Sequence, residues 1–241
     1  MLKNQTDSRN TYPSSRTGDD YGTRQAPDRN TRMDPRLRDL LSDRTSRYEP
    51  ADVLYRAGDA PSTVYVIESG MVKLINYLPN GKARIVRIHS AGSWLGLNGL
   101  LGRSYEHSAI AIDEVRVSRI AINEIMNVKS TDPDLFCKLM EHWFYYLQDA
   151  DLWISSFSTG IIRARVARLI DYLSRIENNL SAEEVRLLTC EEMAEILGAT
   201  PESVSRVIAE FKREKLLYPG DQHDPRHFYR DIPQLNAISQ C

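Results

Sequence analysis

The spacing of apolar residues along this chain changes character three times. Residues 1–33 carry no apolar pattern; they are mostly Asn, Asp, Ser, Thr and Arg, with Pro13 and Pro27 among them. Such a stretch buries too little apolar surface to offset the entropy of ordering, so a flexible tail is expected. A short amphipathic helix is expected over 33–43, with Leu37, Leu40 and Leu41 on one side. The period then becomes two. Segments 53–55, 63–67, 71–77, 84–88, 110–112 and 115–120 are short, β-branched or aromatic, and separated by Gly58-Asp59, Ser69-Gly70 and Pro79-Asn80-Gly81. Asn80-Gly81 between two apolar strands predicts a tight hairpin of the I′ kind, with positive φ at both central residues. Some eight short strands in this space fit an antiparallel roll.

Next the period becomes helical. From Asp134 to Phe157 there is no Pro or Gly, and apolar residues recur at Leu135, Leu139, Trp143, Tyr146, Leu147, Ala150, Trp153, Ile154 and Phe157. A helix of that length runs roughly 36 Å at 1.5 Å per residue. One small roll cannot cover it, so part of its apolar stripe is expected to meet a second copy of the chain, making a homodimer. Gly160 marks a hinge. The expected organisation is a tail (1–33), a β-roll (34–131), a dimerisation helix (132–159) and a second, helical unit (160–241), an α+β fold overall.

That last unit holds the most informative motif. Thr189 with Glu192 three residues on is a capping box, which starts a helix; Gly198 ends it. Thr200 followed by Pro201 is an N-cap with proline at the first helical position, starting a second helix after a short turn. Two short helices joined this way are the pattern of a helix-turn-helix. On the second helix Val204, Val207, Ile208 and Phe211 share an inward face, whereas Pro201, Glu202, Ser205, Arg206 and Ala209 share the other. Glu202, Ser205 and Arg206 are groups that read base edges: arginine on guanine, glutamate on the cytosine amino group, serine on either. Double-stranded DNA is the expected partner.

Composition adds limits. The net charge is −2, so any basic surface must be local, for instance Arg206, Lys212, Arg213 and Lys215. Cys137, Cys190 and Cys241 form neither a CxxC pair nor a Cys/His cluster, which points to a reducing compartment and away from structural zinc. With no long apolar run and no signal segment, a cytoplasmic protein without membrane contact is expected. An enzyme is disfavoured: there is no HxH pair for a cupin metal, and no GxSxG, Walker A or GxGxxG motif. His223 and His227 have a metal-like spacing, but Asp224-Pro225 between them forbids the aligning helix, and a wing is their expected place.

From about Arg44 to Leu235 the chain resembles the Crp/Fnr family, in the order β-roll, long dimer helix, winged helix-turn-helix. Gly58, Gly70, Gly96, Gly99 and Ser108-Ala109 fall at family positions. Glu202-Ser203-Val204-Ser205-Arg206 resembles the Fnr-type reading pattern, which implies a palindromic operator with TTGAT-like half-sites. The resemblance further implies phosphate contacts from Thr189, Thr200 and Ser203, RNA polymerase as a partner, and an effector pocket near Gly96, Leu97, His107 and Ser108. There the chain departs from the cyclic-nucleotide binders. Leu97 stands where they place a ribose-binding glutamate, and His107 where they place a phosphate-binding arginine. A leucine accepts no hydroxyl, and a histidine is a weak phosphate clamp at neutral pH, so cyclic AMP is disfavoured. Residues 1–136 hold no cysteine, which disfavours an iron–sulfur cluster. His89, His107 and His142 leave haem open, and the effector is otherwise unassigned.

Overall fold

The computed structural model of the chain describes residues 35–39, 44–177, 180–221 and 223–240. The expected tail lies outside the described residues, as does most of the helix expected over 33–43; within the latter Pro35–Asp39 is helical (α1) and Leu37 is buried.

Eight strands follow: Thr45–Tyr48 (β1), Val53–Tyr55 (β2), Thr63–Ser69 (β3), Val72–Tyr77 (β4), Ala83–His89 (β5), Trp94–Leu95 (β6), Ser108–Ala111 (β7) and Val115–Ala121 (β8). They form two four-stranded antiparallel sheets, ordered β1-β8-β3-β6 and β2-β7-β4-β5. Strand β3 explains why the run at 63–67 is apolar without interruption. Tyr65 and Ile67 face the space between the sheets with Val72, Ala109 and Val117, while Val64 and Val66 face the helices outside. Side chains alternate across a strand, so a strand covered on both faces loses its polar positions.

The β4–β5 turn differs from the expected I′ form. Gly81 has φ +79° whereas Asn80 does not have positive φ, and the Gly81 N–H donates to the Leu78 carbonyl at 2.9 Å. One residue in the left-handed region after a turn is the three-residue hairpin arrangement, and the Asn80 side chain completes it by accepting from the Lys82 N–H at 3.1 Å.

A helix the apolar pattern did not announce, Ile122–Thr131 (α2), closes the roll. Asp132 then caps the long helix Pro133–Phe157 (α3), accepting from the Leu135 N–H at 3.0 Å, with Pro133 in the first turn. The apolar stripe expected on α3 separates into two faces. Leu135, Leu139 and Tyr146 pack on α2, Val64, Val66 and Trp94, and Phe157 packs on the C-terminal unit. Leu147 and Ile154 point outward, together with Phe144, at 64%, 62% and 58% exposure.

The C-terminal unit comprises Ile162–Ile176 (α4), Glu184–Arg186 (β9), Cys190–Leu197 (α5), Pro201–Arg213 (α6), Leu217–Pro219 (β10), His227–Arg230 (β11) and Ile232–Ser239 (α7). Leu169, Ile170, Met193, Ile196, Val204, Phe211, Phe228 and Leu235 build its core. The three strands pair antiparallel in the order β10-β11-β9. His227 lies on β11 and His223 in the preceding turn, the wing position expected for both.

The roll docks on this unit through the β4–β5 hairpin. Met71, Ile75, Ile85 and Ile88 join the C-terminal core. Lys73 Nζ meets Glu192 Oε1 of α5 at 2.7 Å, both side chains largely buried.

Candidate nucleic-acid interface and sensor cavity

Helix α5 begins where the capping box placed it. The Thr189 hydroxyl accepts from the Glu192 N–H at 3.2 Å, and the Glu192 carboxylate accepts from the Thr189 N–H at 3.1 Å. Gly198, at φ +60°, ends it. Thr200 caps α6 by accepting from the Ser203 N–H at 3.3 Å, and the Thr200 and Ser203 hydroxyls lie 3.1 Å apart. Thr189, Thr200 and Ser203 thus stand at the starts of the two helices, where unpaired N–H groups and the helix dipoles favour an anion.

The faces of α6 sort as its sequence implied. Val204, Val207, Ile208 and Phe211 are buried, whereas Glu202, Ser205, Arg206 and Ala209 are exposed. Glu202, Ser205 and Arg206 line one open concavity with Cys190 and Glu191 of α5. Hydrogen bonds from its own backbone N–H and from the Thr200 hydroxyl hold the Glu202 carboxyl below the usual carboxylate range, so it is an anionic acceptor at neutral pH. Arg206 has no ion-pair partner among the described residues. Of the other cations expected nearby, Lys212 turns to the wing, with Nζ 4.4 Å from the Phe228 ring centre.

A second concavity of about 300 Å³ lies between the roll and α3. Gly96, Leu97 and His107 line it; Ser108 does not, and its hydroxyl instead accepts from the Ala57 N–H at 3.0 Å. Gly96 has φ +81°, and a Cβ there would sit 2.9 Å from a Tyr105 ring carbon and 3.0 Å from the Thr63 carbonyl, so only glycine fits. Burial pushes the His107 imidazole down from its usual range; Glu106 opposes this and Arg87 adds to it. His107 is therefore uncharged at neutral pH. His89 also lines the cavity, while His142 sits on α3 against Trp94, rings 5.6 Å apart. The sequence pattern missed most of the cavity residues, among them Tyr55, Arg87, Trp94 and Tyr146, which come from four separate elements. Among the described residues no group of three His, Cys, Asp or Glu could hold a metal ion, and no helix is long and apolar enough to cross a membrane.

An antiparallel roll followed by a winged helix-turn-helix with a capped, outward-facing second helix defines a DNA-binding transcription regulator. Residues 45–132 match the cyclic nucleotide-binding domain model, and residues 164–238 match the Crp-like helix-turn-helix domain model. The chain belongs to the Crp/Fnr family of transcriptional regulators. Transcriptional regulator LdrP of Thermus thermophilus is 26% identical over 175 residues, 71% of this chain and 86% of that protein. Electron transport regulator A of Shewanella oneidensis is 26% identical over 185 residues, 74% of each. Among solved structures, FixK2 of Bradyrhizobium japonicum shares the fold at TM-score 0.71 and 20% identity, covering 80% of this chain and 96% of that one. A CRP-family regulator from Thermus thermophilus does so at TM-score 0.70 and 24% identity, covering 81% and 97%. These relatives are regulators, not enzymes.

Proposed function

We propose that this regulator acts as a homodimer that reads a palindromic operator with TTGAT-like half-sites, under control of a signal received by its roll. The observation that carries the reading is the capped N-terminal half of α6. It presents an acceptor, a hydroxyl and a guanidinium on one exposed face, over a fully apolar inner face. In the major groove Arg206 donates to guanine, Glu202 accepts from a cytosine amino group, and Ser205 reaches either kind of edge. Thr189, Thr200 and Ser203 fix the register through phosphates. RNA polymerase is the partner such a bound dimer would contact.

Dimerisation is supported by α3. Phe144, Leu147 and Ile154 are exposed at a spacing of three and seven residues, the seam of a two-stranded coil. Two recognition helices then enter successive major grooves only when they lie about one DNA turn, roughly 34 Å, apart. Control runs through the β4–β5 hairpin. Leu74 lines the roll cavity, and its neighbour Lys73, on the opposite face of the strand, holds Glu192 of α5. That same Glu192 completes the cap on Thr189. A change in the cavity therefore reaches the start of the DNA-reading unit through adjacent residues of one strand.

Selection of binding sites from a random duplex pool by the purified protein tests this reading. Enrichment of an inverted repeat of TTGAT-like halves is the expected result; enrichment of unrelated or single sites would overturn it.

A further inference from the structure

We infer that Glu191 is a specificity-determining residue: from the first turn of α5 its carboxylate repels phosphates that lie out of operator register, and so holds down binding to non-operator DNA. This rests on the reading of α6 as the base-reading helix and adds a repulsive element to it. Glu191 is exposed and lines the concavity between α5 and α6 together with Glu202, Ser205 and Arg206. Two carboxylates and one guanidinium therefore face whatever enters it.

The neighbouring Glu192 shows what a structural carboxylate does on this turn. It accepts from the Thr189 N–H at 3.1 Å and meets Lys73 Nζ at 2.7 Å. Glu192 thus already supplies a carboxylate to the positive end of α5, and the capping box is complete without Glu191. Glu191 itself makes no hydrogen bond or ion pair among the described residues. Its carboxylate is left for the concavity.

Phosphates supply essentially all of non-specific DNA binding. In operator register the concavity covers base edges, with Arg206 on a guanine and Glu202 on an amino group. Out of register no amino group answers the carboxylates, and the DNA groups nearest to them are phosphates of like charge. Cations close by do little to offset this. Arg163 is held by Glu210 at 3.1 Å and Glu214 at 2.5 Å, and Lys212 Nζ lies 4.4 Å from the Phe228 ring centre.

The experiment compares wild type, Glu191→Gln and Glu191→Ala on a duplex with inverted TTGAT half-sites and on a scrambled duplex, by anisotropy across a range of salt. Glu183→Gln, at an exposed carboxylate outside the concavity, is the control. Both Glu191 variants should bind the scramble about three- to tenfold more tightly, the scale of one like-charge contact in a solvated interface. The slope of log affinity against log salt should steepen by about 0.5–1. Binding to the operator should rise by less, so the preference falls. The alanine variant excludes a new amide-to-phosphate bond as the source of the gain, and if one variant fails to fold the other carries the comparison. Unchanged affinity for the scramble, or the same gain from Glu183→Gln, would overturn the inference. So would a gain that disappears in an Arg206→Ala background, because Glu191 would then act by holding Arg206. Operator preference in wild type reports separately on the proposed function. Where wild type shows that preference, an equal gain on both duplexes also overturns the inference. Where it binds both duplexes equally, the operator reading fails, and repulsion by Glu191 stands or falls on the gain and the steeper slope alone.

Discussion

Arg206 carries the heaviest demand on a single side chain. It is exposed on α6, without an ion-pair partner among the described residues, beside Glu202 and Ser205. Arg206→Ala should cost roughly 1–3 kcal/mol per half-site and relax preference at one base position, measured against a set of single-base operator variants. Thr200→Val should behave differently. It removes the cap on α6, so melting should report a loss of about 1 kcal/mol. Operator and non-operator DNA should both bind it more weakly. A Thr200→Val protein that changed base preference would place Thr200 among the reading residues instead. Gly96 offers a third check at this scale. Its positive φ and the 2.9 Å approach of Tyr105 mean that Gly96→Ala should destabilise the protein by about 1–3 kcal/mol, seen as a lower urea midpoint.

At the scale of elements, the proposed dimerisation and control rest on α3 and the β4–β5 hairpin. Leu147 and Ile154 are exposed on α3, and hiding each from water is worth about 1.5–3 kcal/mol. Leu147→Glu with Ile154→Glu should give a folded monomer by sedimentation; a dimer of unchanged strength would put the interface elsewhere. The hairpin's ion pair is largely buried, with Lys73 17% and Glu192 14% exposed. A double-mutant cycle with Lys73→Met and Glu192→Gln should give a coupling of about 0.5–3 kcal/mol in operator affinity. Coupling in stability alone would make the pair a structural tie and no part of control. What could be read in the sequence divides along the same lines. Both ends of α5 and the start of α6 were legible, because Thr189, Glu192, Gly198, Thr200 and Pro201 act within a few residues of themselves. The strands of the roll were legible from period and turn residues, although β1 and β6 were not, β6 being only two residues long. Helix α2 went unseen since Ile125 is its only fully buried residue, which leaves little stripe to detect. The two faces of α3 could not be separated by apolar pattern alone, for the roll and solvent sides are both apolar, and Phe144 was passed over. The cavity was legible only where the family positions Gly96, Leu97 and His107 fall and at His89; Tyr55, Arg87, Trp94 and Tyr146 meet there through folding.

Across the whole molecule, the proposed control joins two tasks through one strand. The roll's interior, the cavity and the face toward α5 are separated by the thickness of β4, with Val72 and Leu74 on one side and Met71, Lys73 and Ile75 on the other. Distortion on one side is therefore felt on the other without a long relay. Sequence over 160–241 holds slightly more acidic than basic residues, so DNA affinity cannot come from bulk attraction. It must come from the helix starts and a few cations, and a shallow dependence on salt follows. The most direct measurement is a fluorescence-anisotropy titration at fixed salt. Wild type and Arg206→Ala are each compared on a duplex with inverted TTGAT half-sites four base pairs apart and on a scrambled duplex. The account predicts that wild type prefers the operator by about 10³-fold or more, and that Arg206→Ala loses most of this preference while its binding to the scramble hardly changes. Equal binding of wild type to both duplexes, or an undiminished preference in the variant, would contradict it.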